Sequence, residues 1–231
     1  MRDSEDSEAF RLTVAKAALD LFSVRGYDAT SVDDIAEASG ISRRTFFRQF
    51  KGKDDVIFVD HEILLAQAAA FLDAEHDDPW VAVCDAAQLV FDRFTDWKEY
   101  ARLRYQVVHQ NPALRDREIV TVFKYERLFV DYLRSAAPDH SHLETIQFCA
   151  TVTATHNYVL RRMIRDGIDT APGDLRAALS TVREGYGSSA RGAGTDSADS
   201  EGRSDDVVVA VFRRGTSAEA VVDALGEHLD R

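Results

Sequence analysis

Apolar residues recur at the i, i+3, i+4 spacing of an α-helix from Phe10 to the neighbourhood of Tyr186, and this periodicity limits the fold more than any other feature. Phe10, Val14, Ala17, Ala18, Leu21 and Phe22 form one such face, closed by Arg25-Gly26. After the short loop YDAT, Ser31 is placed to cap a helix that Gly40 ends, and Ser42 to cap another that runs to Phe50. Further helices are predicted near 54–75, 80–97, 99–109, 113–136, 141–166 and 173–186. Pro79, Pro112, Pro138 and Pro172 fall between these segments, as prolines do at helix starts. The fold class is therefore all-α.

The chain continues past the last periodic segment. Residues 187–206, GSSARGAGTDSADSEGRSDD, hold no large apolar side chain and read as a disordered linker. Residues 207–231 form a tail with strand character at VVVAVF and an amphipathic stretch at SAEAVVDALGEHL. With 231 residues, 45% hydrophobic and 29% charged, the chain can bury a proper core. Its longest apolar runs, such as ILLAQAAAFL from Ile63, fall short of the roughly 20 residues that span a bilayer. Its start, MRDSEDSEAF, is too acidic for a secretory signal. A cytoplasmic protein with no membrane partner is expected.

The formal net charge is −12, which by itself argues against a nucleic-acid partner. The distribution argues the other way. From Ser39 to Lys53 the charged residues are Arg43, Arg44, Arg48, Lys51 and Lys53, with no acid among them. Two short helices joined by a turn containing Gly40, the second helix basic, form a helix-turn-helix pattern. On a helical wheel Phe46 and Phe50 fall inward with Ile41, Ile35 and Leu21, while Arg44 and Arg48 share the opposite face, flanked by Thr45 and Phe47. Such a rod fits the major groove of B-DNA, where an arginine can pair with guanine O6 and N7. Lys51 and Lys53 follow where a phosphate backbone would run.

The run GYDATSVDDIAEASGISRRTFFRQFKGKDDV, placed near the start of an all-helical chain, resembles the TetR/AcrR family of bacterial transcriptional regulators over about residues 10–60. By that resemblance Thr30–Ala38 corresponds to the family's second helix and Ser42–Phe50 to its recognition helix. Lys53 corresponds to a lysine that meets phosphate. The implied DNA-binding residues are Thr30, Ser31, Ser42, Arg43, Arg44, Thr45, Phe47, Arg48, Lys51 and Lys53. The family often has Tyr where Phe47 stands, so Phe47 is left with apolar contact only, such as a thymine methyl.

The resemblance further implies a helix-turn-helix head over residues 8–53 and a helical ligand-binding and dimerisation domain over 54–186. The partners it implies are double-stranded operator DNA, a small and largely apolar effector, and a second copy of the chain in a homodimer. Aromatics are dense in the middle of the chain, and an apolar ligand site with a few orienting polar groups would draw on Trp97, Arg102, Tyr105, His109, Phe129, His156 and Asn157. Arg104 is a further polar candidate. Phe148, Val152, Thr155 and Val159 form an apolar stripe, either intramolecular core or dimer seam.

No metal or cofactor is expected. Cys84 and Cys149 lack any CxxC or His partner at ligand spacing and read as buried thiols. GxSxG, the P-loop, GxGxxG after a strand and HExxH are all missing, so no catalytic residue is assigned. The competing readings are a small helical enzyme built around His156 and a carboxylate, or a protein-interaction module with an incidental basic helix.

Overall fold

The computed structural model describes residues 2–166 and 172–187, all of whose regular structure is helical. In chain order the helices are α1 (Arg2–Arg25), α2 (Val32–Ala38), α3 (Arg43–Gln49), α4 (Lys53–Ile57), α5 (Val59–Leu72), α6 (Pro79–Asp96), α7 (Lys98–Gln110), α8 (Pro112–Ala136), α9 (His142–Asp166) and α10 (Pro172–Gly187). The all-α expectation and the proline boundaries agree with this order. Pro79, Pro112 and Pro172 each occupy the first helical position, where a missing N–H costs nothing. The expected linker and the 207–231 tail lie outside the described residues, apart from Gly187, which closes α10.

The helix expected over 54–75 is two helices. At Phe58 the backbone leaves the α region (φ −107°, ψ 14°), and its N–H bonds Asp55 three residues back. The break restarts the helix one residue before Asp60, whose carboxylate accepts the His61 N–H at 2.9 Å. Local periodicity carries no trace of it, because Val56, Ile57, Phe58 and Val59 are all buried.

Contacts divide the described residues into two compact units, one comprising those of Met1–Gln67 with Arg93–Thr121, the other Ala68–Asp92 with the described residues from Val122 onward. In the first, Val14, Ala18, Leu19 and Phe22 of α1 meet Ile35 and Ala36 of α2, Phe46 of α3, and Val56 to Val59. Val107, Val108 and Leu114 close the same core from α7 and the start of α8. Beneath that core lies a charged pair: Arg104 Nε stands 3.0 Å from Asp60 Oδ2, with side chains 3% and 0% exposed. Glu118 approaches the same guanidinium at 3.6 Å. Burial pushes the Asp60 carboxyl upward, and the Arg104 charge opposes that push.

In the second unit Phe148 and Val152 are wholly buried and Val159 nearly so within a single chain. Of the two readings left open for the α9 stripe, this burial favours intramolecular core over dimer seam. Trp80 and Tyr186 close on Phe148 with ring centroids at 4.7 and 5.4 Å.

Removing one member of the Asp60–Arg104 pair leaves a buried charge without compensation, a loss of about 3–5 kcal/mol. Arg104→Leu should therefore lower the melting temperature sharply. The double replacement Asp60→Leu with Arg104→Leu should recover much of that loss. Thermal melts of the three proteins check this; a double variant no better than Arg104→Leu would contradict it.

Candidate nucleic-acid interface

The geometry of the basic helix is set by its caps. At the start of α2 the Ser31 hydroxyl accepts the Asp34 N–H, and the Asp34 carboxylate accepts the Ser31 N–H at 2.8 Å, a reciprocal capping box. The bond from the Ser31 side chain, followed by that from its backbone, holds Asp34 below the usual carboxylate range. The Gly40 N–H bonds Glu37 and the Ile41 N–H bonds Ala36 at 2.9 Å, which turns the chain at the end of α2. The turn needs Gly40 at φ +66°, in the left-handed region. Ser42 then caps α3, its hydroxyl accepting the Thr45 N–H at 3.1 Å.

With both ends fixed, packing sets the rotation of α3. Phe46 is wholly buried, and Phe50 lies against it with centroids 5.2 Å apart. Ile35 shares that core, with Ile41 and Leu21 packed on its edge. The expected inward face is thus observed, and Arg44, Phe47 and Arg48 are exposed.

The five local cations do not behave alike. Arg43 is held by Asp33, with Nη1 2.6 and 2.7 Å from the two carboxylate oxygens and the guanidinium 5.2 Å over the Phe47 ring. The Lys53 ammonium donates to the carbonyls of Tyr27 and Thr30, at 2.9 and 3.3 Å, and sits 4.0 Å over the Tyr27 ring. The Tyr27 hydroxyl in turn bonds Asp54. Arg44, Arg48 and Lys51 are exposed and have no salt bridge among the described residues.

Of the other expected contact residues, Ser31 and Ser42 are exposed caps, and Thr45 is half-buried beside Ser42 at 3.0 Å. Thr30 is buried, its hydroxyl donating to the Gly26 carbonyl at 2.8 Å, so the structure does not bring it to the exposed face. Two residues escaped the sequence reading, Asp33 and Tyr27. Asp33 is one of two acids in the first turn of α2, and nothing local shows that it meets a side chain ten residues on. Tyr27 looked like a loop residue.

The residues proposed for an apolar ligand site fall into both units. In the first, Trp97 packs on the edge of the core, Arg102 is exposed, and His109 stacks on Tyr105 with centroids 3.7 Å apart. Arg104 belongs to the Asp60 pair. In the second, Phe129 and His156 are buried and Asn157 is half-buried. The His156 ring meets Phe91 edge-on at 6.0 Å, and its Nδ1 lies 3.5 Å from Asn157 Oδ1. Among the described residues its Nε2 has no hydrogen-bond partner, nor does Oγ1 of Thr153 one turn away. Burial brings the His156 imidazolium down to about 4, with the Asn157 bond opposing. Burial alone carries the Glu126 carboxyl up to about 7. The same unit holds the thiols of Cys84 and Cys149, free and buried as expected, with burial the main cause that pushes Cys84 up to about 12. Among the described residues no group of His, Cys, Asp or Glu could hold a metal ion, and no helix is long and apolar enough to cross a membrane.

The model for bacterial regulatory proteins of the tetR family matches residues 14–58, which encloses α2, α3 and α4. A Mycobacterium tuberculosis protein named as a mycofactocin biosynthesis transcriptional regulator is 36% identical over 106 residues, 44% of this chain and 52% of that protein. The HTH-type transcriptional regulator TcmR of Streptomyces glaucescens is 34% identical over 83 residues, 35% of this chain and 37% of the relative. The match thus spans about half, or less, of the length of these relatives. A TetR-family structure from Syntrophomonas wolfei superposes with a TM-score of 0.57 at 17% identity, covering 77% of this chain and 95% of that one, a likeness of fold.

Two of the shifted groups of the second unit, His156 and Glu126, oppose each other in pH. His156 has a folded value below its ordinary 6.5, so its contribution is present above about 6.5 and is lost as pH falls toward 4. Glu126 has a folded value above its ordinary 4.5, so its contribution is present below 4.5 and is lost as pH rises through 7. Between 4.5 and 6.5 the two slopes offset one another. Relative to the parent protein, His156→Phe should make stability fall more steeply with rising pH, and Glu126→Gln should make it climb. Each change is bounded by about 1.4 kcal/mol per pH unit. Urea titrations at several pH values read both slopes, and parallel curves for all three proteins would refute the assignment.

Proposed function

We propose that this chain is a member of the TetR family of bacterial regulatory proteins, a sequence-specific regulator of transcription that binds operator DNA as a homodimer. On this reading residues 8–53 are the DNA-binding domain, and residues 54–186 bind a small, largely apolar effector and dimerise. The observation that carries it is α3, a basic helix anchored from within by Phe46 and capped by Ser42, with Arg44, Phe47 and Arg48 facing out. Arg44 and Arg48 are the base-reading candidates, Lys51 a phosphate contact, and Phe47 an apolar contact to a thymine methyl. Arg43 and Lys53 would have to exchange their present partners to reach DNA. Thr30, Ser31, Ser42 and Thr45 support the face mainly through the turns they cap.

Two recognition helices reach successive major grooves when they stand about 34–36 Å apart, which requires a dimer. With Val152 inside the monomer, the outward stripe of α9 is the better candidate seam. Leu143 and Tyr158 on that stripe are 46% and 64% exposed, and Ala154 lies between them. Repression relieved by the effector is the regulatory sense we assign. A ligand that favours one arrangement of the helical body shifts the population of DNA-competent dimers. Such a role places the protein in the cytoplasm with the chromosome. The regulators among its relatives, and the lack of a catalytic motif in the sequence, weigh against an enzyme.

Selection of bound fragments from genomic DNA, followed by binding curves on the recovered operator, tests the proposal. Arg44→Ala should leave the melt unchanged and weaken operator binding by roughly 1–3 kcal/mol, with less effect on scrambled DNA. Phe46→Ala should cost roughly 3–5 kcal/mol of stability, and its binding should fail with the fold. Binding should also weaken steeply with salt, since several phosphates are neutralised. If Arg44→Ala melts early while Phe46→Ala stays folded, the helix is rotated the other way.

The seam makes a separate prediction. Tyr158→Glu should leave a folded chain, because Tyr158 is exposed in the monomer, yet sediment as a monomer and lose operator affinity. Analytical ultracentrifugation beside a binding curve reads both. A variant that stays dimeric would remove this face from the interface.

A further inference from the structure

The second unit contains an open groove of about 210 Å³ between α6 and α10. Val81, Cys84, Asp85 and Gln88 line it from α6, and Arg176, Leu179, Ser180 and Arg183 from α10. Each set follows the i, i+3, i+4, i+7 pattern, so two straight helical stripes face each other along about 10 Å, seven residues of helical rise. The floor is apolar: Leu179 and Cys84 are buried and Val81 half-buried. Gln88 is buried and lies one turn on from Cys84, adding an amide to that floor. The rim is cationic. Arg176 is exposed, Arg183 half-exposed, and neither forms a salt bridge among the described residues.

We infer that this groove binds a small amphiphilic anion, with a carboxylate or phosphate head between Arg176 and Arg183 and a short aliphatic tail along Leu179, Val81 and Cys84. The residue types require both halves of that ligand. Guanidinium groups with no salt bridge among the described residues match a planar or tetrahedral oxyanion, and their fork geometry favours two-point contact. The floor offers no charge to a polar ligand, and Asp85 on the opposite wall favours a carboxylate head, with one negative charge, over a phosphate, with nearly two. The volume lies below the roughly 300–1,000 Å³ of drug-sized sites, so the fitting occupant is a chain of about eight carbons. The site differs from the interior around His156, whose walls carry no basic residue on the α9 stripe formed by Cys149, Thr153 and His156. Only the regulatory consequence, release of DNA on binding, rests on the effector reading above.

Octanoate, octyl phosphate, octanol and octylamine are the probes, titrated calorimetrically into the full-length protein. Octanoate or octyl phosphate should bind, whichever head is preferred, and octanol and octylamine should bind at least about tenfold more weakly. Arg176→Ala and Arg183→Ala should each weaken the anions by about tenfold, and the double variant should abolish binding, with melts unchanged. Leu179→Ser should weaken the anions in proportion to tail length, shown by the loss of discrimination between octanoate and butyrate. Equal binding of octanol, anion binding that ignores both arginines, or no binding of either anion would each overturn the inference. Operator binding is measured in parallel: anions that bind at the arginines without loosening DNA would leave the site standing and sink the effector reading for it.

Discussion

The insertion of Phe46 into the core under α1 and α2 is the contact on which the exposed basic face of α3 depends. Helices α2 and α3 have seven residues each, too short to persist alone in water, where nucleation costs more than so few hydrogen bonds return. Their order comes from burial of Ile35, Ala36, Phe46 and Phe50, and from the Ser31–Asp34 box and the Ser42 cap at their starts. Since α3 is held from one side only, the choice of buried residue sets its rotation. The placement of Arg44 and Arg48 toward solvent is a consequence of where Phe46 sits.

Charge is sorted with the same economy. An acidic chain keeps three exposed cations, Arg44, Arg48 and Lys51, near one surface, and ties Arg43 and Lys53 to local partners. A surface pair such as Arg43–Asp33 is worth little in stability, so its partners can exchange at small cost. The buried Asp60–Arg104 pair is another matter, because breaking it exposes no water to either charge. It joins the start of α5 to α7 inside one unit and makes that packing specific.

The second unit combines an apolar interior with scattered polar groups that its neighbours do not fully satisfy. Buried polar atoms are usually paired, whereas Nε2 of His156 and Oγ1 of Thr153 have no hydrogen-bond partner among the described residues. The groove between α6 and α10 offers the complementary chemistry, positive at its rim and apolar at its floor.

Local periodicity and local turn chemistry determined the helices, the helix-turn-helix with its glycine turn, and the inward face of α3, all of which were legible in the sequence. Prolines at helix starts and apolar spacing act over a few residues, and a wheel needs no more than that. The break at Phe58 was not legible, because Ile57, Phe58 and Val59 are apolar in either case and only Asp60's partner, 44 residues away, gives the restart its purpose. Nor was the fate of Val152, since a stripe looks the same whether its own chain or a second copy covers it. Tertiary structure also decided which cations are engaged: Asp33 reaches Arg43 and Tyr27 seats Lys53 only because the α2–α3 turn and the start of α4 bring them together. Periodicity says which face of a helix is apolar, whereas the identity of what covers that face depends on residues distant in the chain.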